Sequence, residues 1–293
     1  MNFQDELAKR TEETEKVIRS FLPAEAGFAG TMAQAMNYSM LAGGKRLRPM
    51  LIRETYCLFD GKEEVVKPFM AGMEMIHTHS LIHDDLPAMD NDDYRRGRLT
   101  NHKVYGAGMA TQAGDGLLTF AFQLLSEQKQ IASDIRVELI SLLARAAGPE
   151  GMVGGQAHDI EAEGKHLTLS ELKILDACKT GCLLSAPVSM ACAVAGTALK
   201  DRVLLENFAA HLGLLFQITD DLLDEKGNLE DMGKMPGQDE KDNKSTFVTI
   251  LGVEEAEKYA EEEGALAKEA LAKLPFDSTI LYELTDLLLH RKK

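Results

Sequence analysis

The sequence of 293 residues predicts an all-α protein, and three observations support this fold class. Apolar residues recur at helical spacing along almost the whole chain, and no useful stretch alternates apolar with polar residues as a strand would. Aromatic residues make up only 6%, whereas methionine is plentiful and proline is scarce, a composition that favours helices. No repeat or Ser/Pro-rich linker divides the chain, so we expect one domain over residues 1–293.

The predicted helices follow one another along the chain. Paired glycines at Gly43-Gly44 end the second helix, Pro49 opens the third in its first turn, and Pro87 ends a long apolar helix. The periodic segments are residues 2–20, 24–42, 63–85, 107–129, 133–147, 170–197, 200–225, 253–273 and 276–290. Residues 227–244 are rich in glycine and charge and are predicted to form a long loop, and loops of this length are usually functional or disordered.

The charge balance excludes several classes of function. Lys and Arg total 32 against 47 Asp and Glu, a net charge of -15, which argues against nucleic-acid binding and against attachment to an anionic membrane. The most apolar stretch, 183–199, is short for a membrane span and contains Pro187, so we expect a buried helix and no stable membrane anchor. Cys178 and Cys182 lack the spacing of a zinc or redox pair, which indicates reduced thiols in a cytoplasmic protein.

A first cluster of aspartates, Asp84, Asp85 and Asp90, lies in the run SLIHDDLPAMDNDD, directly after a long apolar helix. Because Pro87 breaks that helix, Asp90 must return to the others through a turn. A solvated acidic surface explains such a run equally well when it is taken alone. The apolar helix that leads to these acids favours a functional site instead.

The second cluster, Asp220, Asp221 and Asp224 in FQITDDLLD, also follows an apolar run. At about 100° per residue, Asp220 and Asp224 lie about 40° apart on one helix face, with Asp221 beside them. Clustered carboxylates repel one another unless cations neutralise them. Oxygen ligands of this kind suit Mg²⁺, which takes one or two carboxylates together with phosphate oxygens and water. Two such clusters would bracket a diphosphate between metal ions.

Two basic segments accompany the acidic clusters. GGKRLRP contains Lys45, Arg46 and Arg48, and DYRRGRLTNH contains Arg95, Arg96 and Arg98. Arginine forks match phosphate oxygens, although Arg95 and Arg96 could instead form surface salt bridges with neighbouring aspartates. His77 lies about 10 Å below Asp84 on nearly the same helix face, where either a core histidine or a ligand contact is possible.

These segments together resemble the trans-isoprenyl diphosphate synthases, in particular the bacterial farnesyl diphosphate synthases. The matching motifs come in the family's order from about residue 40 to 250: GGKRLRP, IHTHSLIHDDLPAMDNDDYRRGRLTNHKVYG, AGDGLL, GGQAHDI, KTGCLLSAPV, FQITDDLLD and GK…DNKSTF. The resemblance implies an all-α bundle around a deep central cavity, with the two acidic clusters facing each other, and a homodimer.

The reaction implied by the resemblance is a head-to-tail condensation of isopentenyl diphosphate with an allylic diphosphate, dimethylallyl or geranyl diphosphate. Three Mg²⁺ ions hold the allylic diphosphate, and Mn²⁺ can substitute. The allylic carbon–oxygen bond ionises, isopentenyl diphosphate attacks the cation, and a proton passes to the released pyrophosphate. No protein nucleophile is needed, which fits the absence of a Ser/His/Asp or reactive-cysteine pattern.

The resemblance also implies roles for single residues. Asp84 and Asp90 match the metal ligands of the first motif and Asp220 that of the second, while Asp85, Asp221 and Asp224 complete the motifs. The isopentenyl diphosphate site matches Lys45, Arg48, His77 and Arg96. The allylic diphosphate site matches Arg95, Lys179, Lys234 and Lys244. Thr180 and Gln217 match polar groups near the developing cation, and Asp159 matches a supporting position. The loop at 227–244 and the tail Arg291-Lys292-Lys293 could close over the substrates, although the tail could equally be a frayed terminus.

Product length is expected to depend on His79, about 7.5 Å below Asp84 along the helix, and on the adjacent Ser80. In the family a bulky residue at the position of His79 limits the product to farnesyl diphosphate, whereas a small one allows geranylgeranyl diphosphate. Because imidazole is bulky, we expect mainly farnesyl diphosphate, with geranylgeranyl diphosphate as the alternative. A non-catalytic prenyltransferase subunit, a terpene cyclase and a structural acidic metal binder are the competing hypotheses.

Overall fold

A computed structural model describes residues 3–226 and 244–291, and it confirms the all-α fold class. The α-helices are α1 (Phe3–Ser20), α2 (Gly30–Met40), α3 (Leu47–Cys57), α4 (Lys67–Asp84), α5 (Asn101–Tyr105), α6 (Ala107–Ser126), α7 (Ser133–Ala147), α8 (Met152–Ala162), α9 (Leu169–Asp176), α10 (Cys182–Ala195), α11 (Leu199–Lys226), α12 (Phe247–Leu251), α13 (Val253–Ala272) and α14 (Thr279–Leu289). A 3₁₀ turn at Glu63–Val65 precedes α4, and a π-helical segment at Ala177–Gly181 joins α9 to α10.

Most predicted helices are present, but three differences concern the motifs. The helix expected over 170–197 is interrupted by the π-helical segment Ala177–Gly181. The GGQAHDI motif forms a separate helix, α8, which the periodicity did not predict. Residues 94–99 form a small antiparallel ribbon of β1 (Tyr94–Arg95) and β2 (Arg98–Leu99), too short for an alternating pattern to indicate it.

The chain divides into two compact units. The first comprises Met1–Arg53 with Gly61–Ile140, and the second comprises Glu54–Asp60 with Ser141–Lys293. The expectation of one domain over 1–293 concerns how these units behave together and stays a prediction.

Helix α4 is the central helix of the first unit and packs against α1, α2 and α6. Twelve of its 18 residues are buried, because it is apolar around most of its circumference. Glycines allow α6 to approach it closely. A methyl group added at Gly72 would lie 2.6 Å from a Leu125 methyl carbon, and one at Gly114 would lie 2.3 Å from His83 Nε2. The AGDGLL motif therefore serves the packing of α6 on α4.

Helix α11 has the same central position in the second unit, where it packs against α10, α13, α14 and the π-helical segment. Phe208, Leu212 and Leu215 on α11 are fully buried. Gly213 allows close contact with the π-helical segment, since an added methyl group would lie 3.1 Å from the Gly181 Cα.

Among the described residues, one helical stretch, Leu169–Ala195, is long and apolar enough to cross a membrane by length and composition alone. In its most apolar window, 56% of the residues are buried inside the protein. Its second half is α10, in which nine residues are buried, as expected for the apolar stretch around Pro187.

Both acidic clusters lie near the C-terminal end of the central helix of their unit. Asp84 is the last residue of α4, and Asp220 to Asp224 lie in the last two turns of α11. A helix C-terminus carries a partial negative charge, so carboxylates there are unfavourable unless a cation is close. A cation near either of these two helix ends would therefore be stabilising.

Candidate active site

The first acidic cluster is shaped by the turn that follows α4. Asp85 forms the C-cap of the helix. The backbone N–H of Asp90 donates to the carbonyl oxygen of Asp84 at 2.9 Å, so the chain returns after Pro87 as the sequence predicted. Asn91 takes a left-handed conformation (φ 54°), which asparagine tolerates better than most residues, and completes this reversal.

The two adjacent aspartates of this cluster differ in environment. Asp85 is only 4% exposed and accepts a hydrogen bond from Arg95 Nε at 2.6 Å. Burial raises the pKa of the Asp85 carboxyl to about 7, although the Arg95 guanidinium opposes this shift. Asp84 is half-buried and Asp90 is exposed. Asp85 therefore holds the Arg95 side chain, while the other two carboxylates are the more accessible ones.

The arginines of the second basic segment are held by the ribbon β1–β2. Arg96 (φ 53°) and Gly97 (φ 72°) form its two-residue turn, with positive φ at both positions as in a type I′ hairpin. Arg96 Nη1 donates to the carbonyl oxygen of Gly43. A methyl group at Gly44 would lie 2.7 Å from the Arg96 Cζ, so this glycine leaves room for the guanidinium. The two basic segments, far apart in sequence, thus meet.

Arg46 belongs to the basic segment GGKRLRP, but its side chain has a different environment from that of Lys45. Its side chain is fully buried, and it donates to Glu15 Oε1 at 2.7 Å, to Glu74 Oε1 at 2.5 Å and to the carbonyl oxygen of Met40 at 2.6 Å. Arg46 therefore links the 43–49 segment to α1, α2 and α4 and does not face a substrate. Lys45 beside it is exposed.

His77 and Arg48 lie together on this side of α4, with Arg48 Nη1 3.4 Å from His77 Nε2. Burial, together with the positive charges of Arg48, Arg96, Arg46 and Arg95, holds the pKa of His77 well below its usual range. The imidazole is therefore neutral at physiological pH. The sequence expectation that His77 is near the basic residues holds in the structure, whereas its contact with a ligand stays a prediction.

His79 is buried in the contact between α4 and α6. Its Nδ1 lies 3.1 Å from the carbonyl oxygen of Gly114, and its ring packs edge-to-face against His83 with centroids 4.4 Å apart. Burial, followed by the charge of His83, lowers the pKa of His79 to about 4. The Ser80 hydroxyl donates to the carbonyl oxygen of His77 at 2.8 Å.

A pocket of about 340 Å³, partly open to solvent, lies in the first unit beside these residues. Its lining combines apolar side chains of α4 with charged groups of the first cluster and the ribbon. They include Leu81, Ile82, Asp85, Arg95 and Arg96.

In the second unit, the π-helical segment carries Lys179 and Thr180. Lys179 Nζ donates to Asp159 Oδ2 at 2.6 Å, and Lys244 Nζ lies 3.7 Å from the same oxygen. Burial alone would raise the pKa of Asp159, but the two lysines outweigh it and hold this pKa below its usual range. Gly155 permits the approach of α8, because an added methyl group would lie 2.3 Å from the Lys179 amide nitrogen. A π-helical insertion of this kind is frequent at functional sites.

A chain of hydrogen bonds continues from this segment to the second acidic cluster. The Thr180 hydroxyl donates to Gln217 Oε1 at 3.1 Å, and Gln217 Nε2 donates to Asp221 Oδ1 at 3.0 Å. The other oxygen of Asp221 accepts from the backbone N–H of Phe247 at 2.7 Å, at the start of α12. Asp159, Lys179, Gln217, Asp221 and Lys244 line one pocket of about 410 Å³.

Asp220, the more open carboxylate of this cluster, is paired with Arg291, which lies near the C-terminus. Arg291 Nη2 lies 2.5 Å from Asp220 Oδ1 and donates to the carbonyl oxygen of Phe216 at 2.7 Å. Its Nε donates to the Thr219 hydroxyl at 3.1 Å, and its guanidinium stacks 4.4 Å above the Phe216 ring. Sequence reasoning named Arg291 only as part of a basic tail and did not predict this pair.

One predicted site residue, Lys234, lies outside the described residues. So do residues 227–243 of the loop predicted over 227–244, and Lys292 and Lys293 of the tail. Asp224 is described and buried. Glu74 and Glu15 were missed by sequence reasoning, although a glutamate within the apolar run FMAGMEMIH is itself a signal of a buried partner.

The chemistry of the carboxylates in each cluster suits Mg²⁺. Within residues 3–226 and 244–291, no three His, Cys, Asp or Glu side chains are gathered so that they could hold a metal ion by themselves. Mg²⁺ commonly binds one or two carboxylates and completes its shell with water and substrate phosphate oxygens. Asp84, Asp90 and Asp220 could supply such carboxylates, and a guanidinium already rests on Asp220 where a cation is called for.

Comparison with known proteins places the chain among enzymes of prenyl transfer. A farnesyl diphosphate synthase from Geobacillus stearothermophilus is 51% identical over 224 residues, covering 76% of this chain and 75% of the relative. A geranylgeranyl diphosphate synthase from Cyanophora paradoxa is 40% identical, covering 97% and 95%. The crystal structure of a geranyltransferase from Helicobacter pylori, complexed with magnesium and isoprenyl diphosphate, has a TM-score of 0.86 and 32% identity, covering 99% of this chain and 97% of that chain.

The family assignment covers nearly all of the motifs described above. The sequence model of the family called polyprenyl synthetase matches residues 30–277. This range includes both acidic clusters, both basic segments and the π-helical segment. The resemblance seen in the sequence is therefore confirmed, and the chain belongs to the polyprenyl synthetase family.

Proposed function

We propose that this protein condenses isopentenyl diphosphate head to tail with dimethylallyl or geranyl diphosphate and gives mainly farnesyl diphosphate. The observation that carries the proposal is the placement of one acidic cluster near the C-terminal end of each central helix, α4 and α11, beside Lys and Arg side chains. The family membership and the farnesyl diphosphate synthase from Geobacillus stearothermophilus support the same conclusion.

The reaction balances without a protein nucleophile. The carbon–oxygen bond of the allylic diphosphate breaks, and the electron pair leaves with pyrophosphate. The double bond of isopentenyl diphosphate then attacks the allylic carbon, a new carbon–carbon bond forms, and one proton passes from the isopentenyl unit to the released pyrophosphate. The protein must hold both diphosphates, stabilise the charge that develops on the leaving group, and keep water from the cation.

In the first unit, Lys45, Arg48, His77 and Arg96 form the proposed site for isopentenyl diphosphate. The neutral imidazole of His77 suits a hydrogen-bonding role among the cationic groups Arg48 and Arg96. Arg95, held on Asp85, is assigned to the allylic diphosphate.

In the second unit, Lys179, Lys244 and Lys234 are assigned to the allylic diphosphate. Lys179 and Lys244 share the Asp159 carboxylate, so their two ammonium groups lie close together despite their like charges. Thr180 and Gln217 are hydrogen-bonded to each other, and their oxygen dipoles are assigned to the stabilisation of the developing cation.

The proposed metal is Mg²⁺, three ions per site, with Mn²⁺ able to substitute. Asp84, Asp90 and Asp220 are the proposed ligands, and Asp85, Asp221 and Asp224 complete the two clusters. When bound, Mg²⁺ neutralises the diphosphate charge and makes pyrophosphate a better leaving group. The magnesium in the Helicobacter pylori geranyltransferase supports this choice.

The most detailed part of the proposal concerns the length of the product. His79 fills the space between α4 and α6, and its bulk is consistent with a limit at farnesyl diphosphate. The Cyanophora paradoxa relative keeps geranylgeranyl diphosphate as the second candidate. The two products are distinguished by replacing His79 with alanine, which should lengthen the product if this ring limits the chain.

The deciding assay incubates the purified protein with isopentenyl and dimethylallyl diphosphates, with Mg²⁺ or with a chelator, and separates the products by chromatography. Farnesyl diphosphate formed only with Mg²⁺ supports the proposal. The absence of any condensation product would leave a non-catalytic subunit as the better explanation, and a cyclic hydrocarbon would favour a terpene cyclase.

We further propose that residues 1–293 act as one catalytic domain, as a cytoplasmic homodimer without a stable membrane anchor. The dimer rests on the family resemblance alone, and light scattering of the purified protein would test it.

A further inference from the structure

Glu74 of α4 lies at the centre of the contact between the two basic segments. Its side chain is 1% exposed, and one oxygen, Oε1, lies 2.5 Å from Arg46 Nη1 and 4.0 Å from Arg96 Nη2. A buried carboxylate needs charged partners, because burial without them is strongly unfavourable. Glu74 is therefore hydrogen-bonded to the Arg46 guanidinium and lies at ion-pair distance from the Arg96 guanidinium, which comes from another part of the chain.

The first of these groups, Arg46, fixes the path of the loop over residues 43–46, which leads into α3. Its backbone is in the left-handed region (φ 50°), and its side chain is anchored by Glu74, Glu15 and the Met40 carbonyl. Because Arg46 points inward, the loop presents its neighbours differently: Lys45 is exposed, and Arg48 reaches His77. Without the Glu74 charge, Arg46 would be left buried beside one half-buried carboxylate, and the loop would lose its main anchor.

The second group, Arg96, needs Glu74 for a different reason. Arg96 is mostly buried close to other arginines, and burial together with the charges of Arg46 and Arg95 lowers its pKa. Glu74 offsets this repulsion, while the Gly43 carbonyl and the space above Gly44 fix where the guanidinium lies. His77, one helical turn after Glu74, lies among the same arginines.

From these contacts, and resting on the proposed function, we propose that Glu74 is the positioning residue of the isopentenyl diphosphate site. It orients Arg96 directly and orients Lys45 and Arg48 through Arg46. Glu74 itself does not touch substrate. The proposal predicts a specific kinetic effect: weaker use of isopentenyl diphosphate with little change for the allylic substrate.

The test uses Glu74→Gln, which keeps the shape of the side chain and removes its charge. The KM for isopentenyl diphosphate should rise about tenfold, because misplaced arginines lose charge-assisted hydrogen bonds to phosphate. The KM for geranyl diphosphate and kcat should change less than about twofold. Glu15→Gln, which removes an ion pair of Arg46, should give a smaller rise in the same constant, because Glu15 acts on Arg96 only through a weak electrostatic effect.

Glu13→Gln is the matched control. Glu13 lies on the same helix as Glu15 and pairs with Arg53 at 2.8 Å, away from Arg96. This variant should leave both KM values unchanged. If Glu74→Gln does not fold, Gly44→Ala tests the Arg96 part of the inference, because its added methyl group would displace the Arg96 guanidinium while Glu74 stays in place.

The outcomes separate this inference from the proposed function. A wild-type protein that makes no condensation product refutes the proposed function itself. An active wild-type protein whose Glu74→Gln or Gly44→Ala variant keeps its KM for isopentenyl diphosphate overturns the positioning role. An equal rise in both KM values also overturns it, since that pattern indicates general loosening of the unit.

Discussion

The two acidic clusters look alike in sequence but are neutralised in different ways. In each adjacent pair the second aspartate is buried, Asp85 at 4% and Asp221 at 6% exposure. Asp85 accepts a hydrogen bond from the charged Arg95, whereas the described hydrogen bonds to Asp221 come from the Gln217 amide and the Phe247 backbone N–H. In the second cluster the protein's cation, Arg291, rests instead on the open carboxylate. If Asp220 binds a metal ion as proposed, that ion has to displace Arg291, whereas no such exchange is needed at Asp85.

The largest expected effect is on kcat, and it distinguishes Asp84 from the adjacent Asp85. Asp84→Asn should lower kcat by about 10³-fold, the size seen when a group that stabilises transition-state charge is removed. Asp85→Asn should lower kcat far less but destabilise the protein, because Arg95 would lose its buried partner. Steady-state kinetics and thermal unfolding of both variants measure this. Equal losses of kcat would show that the pair acts as two equivalent ligands.

The two central helices also differ in their histidines, and this predicts a pH effect on stability. His79 on α4 is buried beside His83, with Asp115 also near, whereas His211 on α11 pairs with Glu263 at 2.6 Å. Since the pKa of His79 falls to about 4 in the folded protein, the unfolded chain takes up its proton first as pH decreases.

The His79 contribution to stability is therefore complete above about pH 6.5 and is lost as pH falls toward 4. By pH 5 the loss should be about 2 kcal/mol. Urea unfolding of wild type and His79→Gln at pH 7 and pH 5 would measure it, with a shallower pH dependence expected in the variant. Identical pH slopes would show that this imidazole is not desolvated.

The neutral donors around Asp221 predict a loss of stability in the second cluster. Asp221→Ala removes the acceptor of the Gln217 amide and of the Phe247 N–H, and should lower the free energy of unfolding by about 2 kcal/mol. Asp220→Asn should lower it by less than about 1 kcal/mol, because Asp220 is half-exposed and its ion pair is partly screened. Chemical denaturation of both variants compares them, and a larger loss in Asp220→Asn would reverse the roles assigned here.

The smallest predicted effect concerns Arg291. Arg291→Ala should lower the Mn²⁺ concentration needed for half-saturation in the presence of inorganic pyrophosphate by about threefold, since the metal no longer competes for Asp220. Electron paramagnetic resonance of free Mn²⁺ follows the binding directly. Lys268→Ala, which removes an ion pair to Asp286 in the same unit, is the control and should change nothing. Weaker metal binding in Arg291→Ala would show that the arginine assists the metal site.

The helices and the two acidic clusters could be predicted because their signals are local. Apolar periodicity predicts the buried faces of α4 and α11. Pro87 predicts the turn that brings Asp90 back to Asp84. The π-helical segment that carries Lys179 and Thr180 could not be predicted, because five residues are too few for a change of helical period to be recognised in the sequence.

The partners of the charged residues depend on tertiary contacts, and these partners are difficult to predict from the sequence. Arg46 stands between Lys45 and Arg48 in the chain, yet it is buried on Glu74 while Lys45 is exposed. The pair of Arg291 with Asp220 joins residues 71 positions apart. Adjacent charges in a motif therefore indicate where a site lies but not which of them face it.

The most direct test of the account is a single turnover with geranyl and isopentenyl diphosphates in wild type, Asp84→Asn and Asp220→Asn. If both acidic clusters serve one ionisation, wild type forms farnesyl diphosphate only with Mg²⁺, and each variant loses most of this rate. Formation of product in the presence of a chelator, or a wild-type rate in either variant, would contradict it.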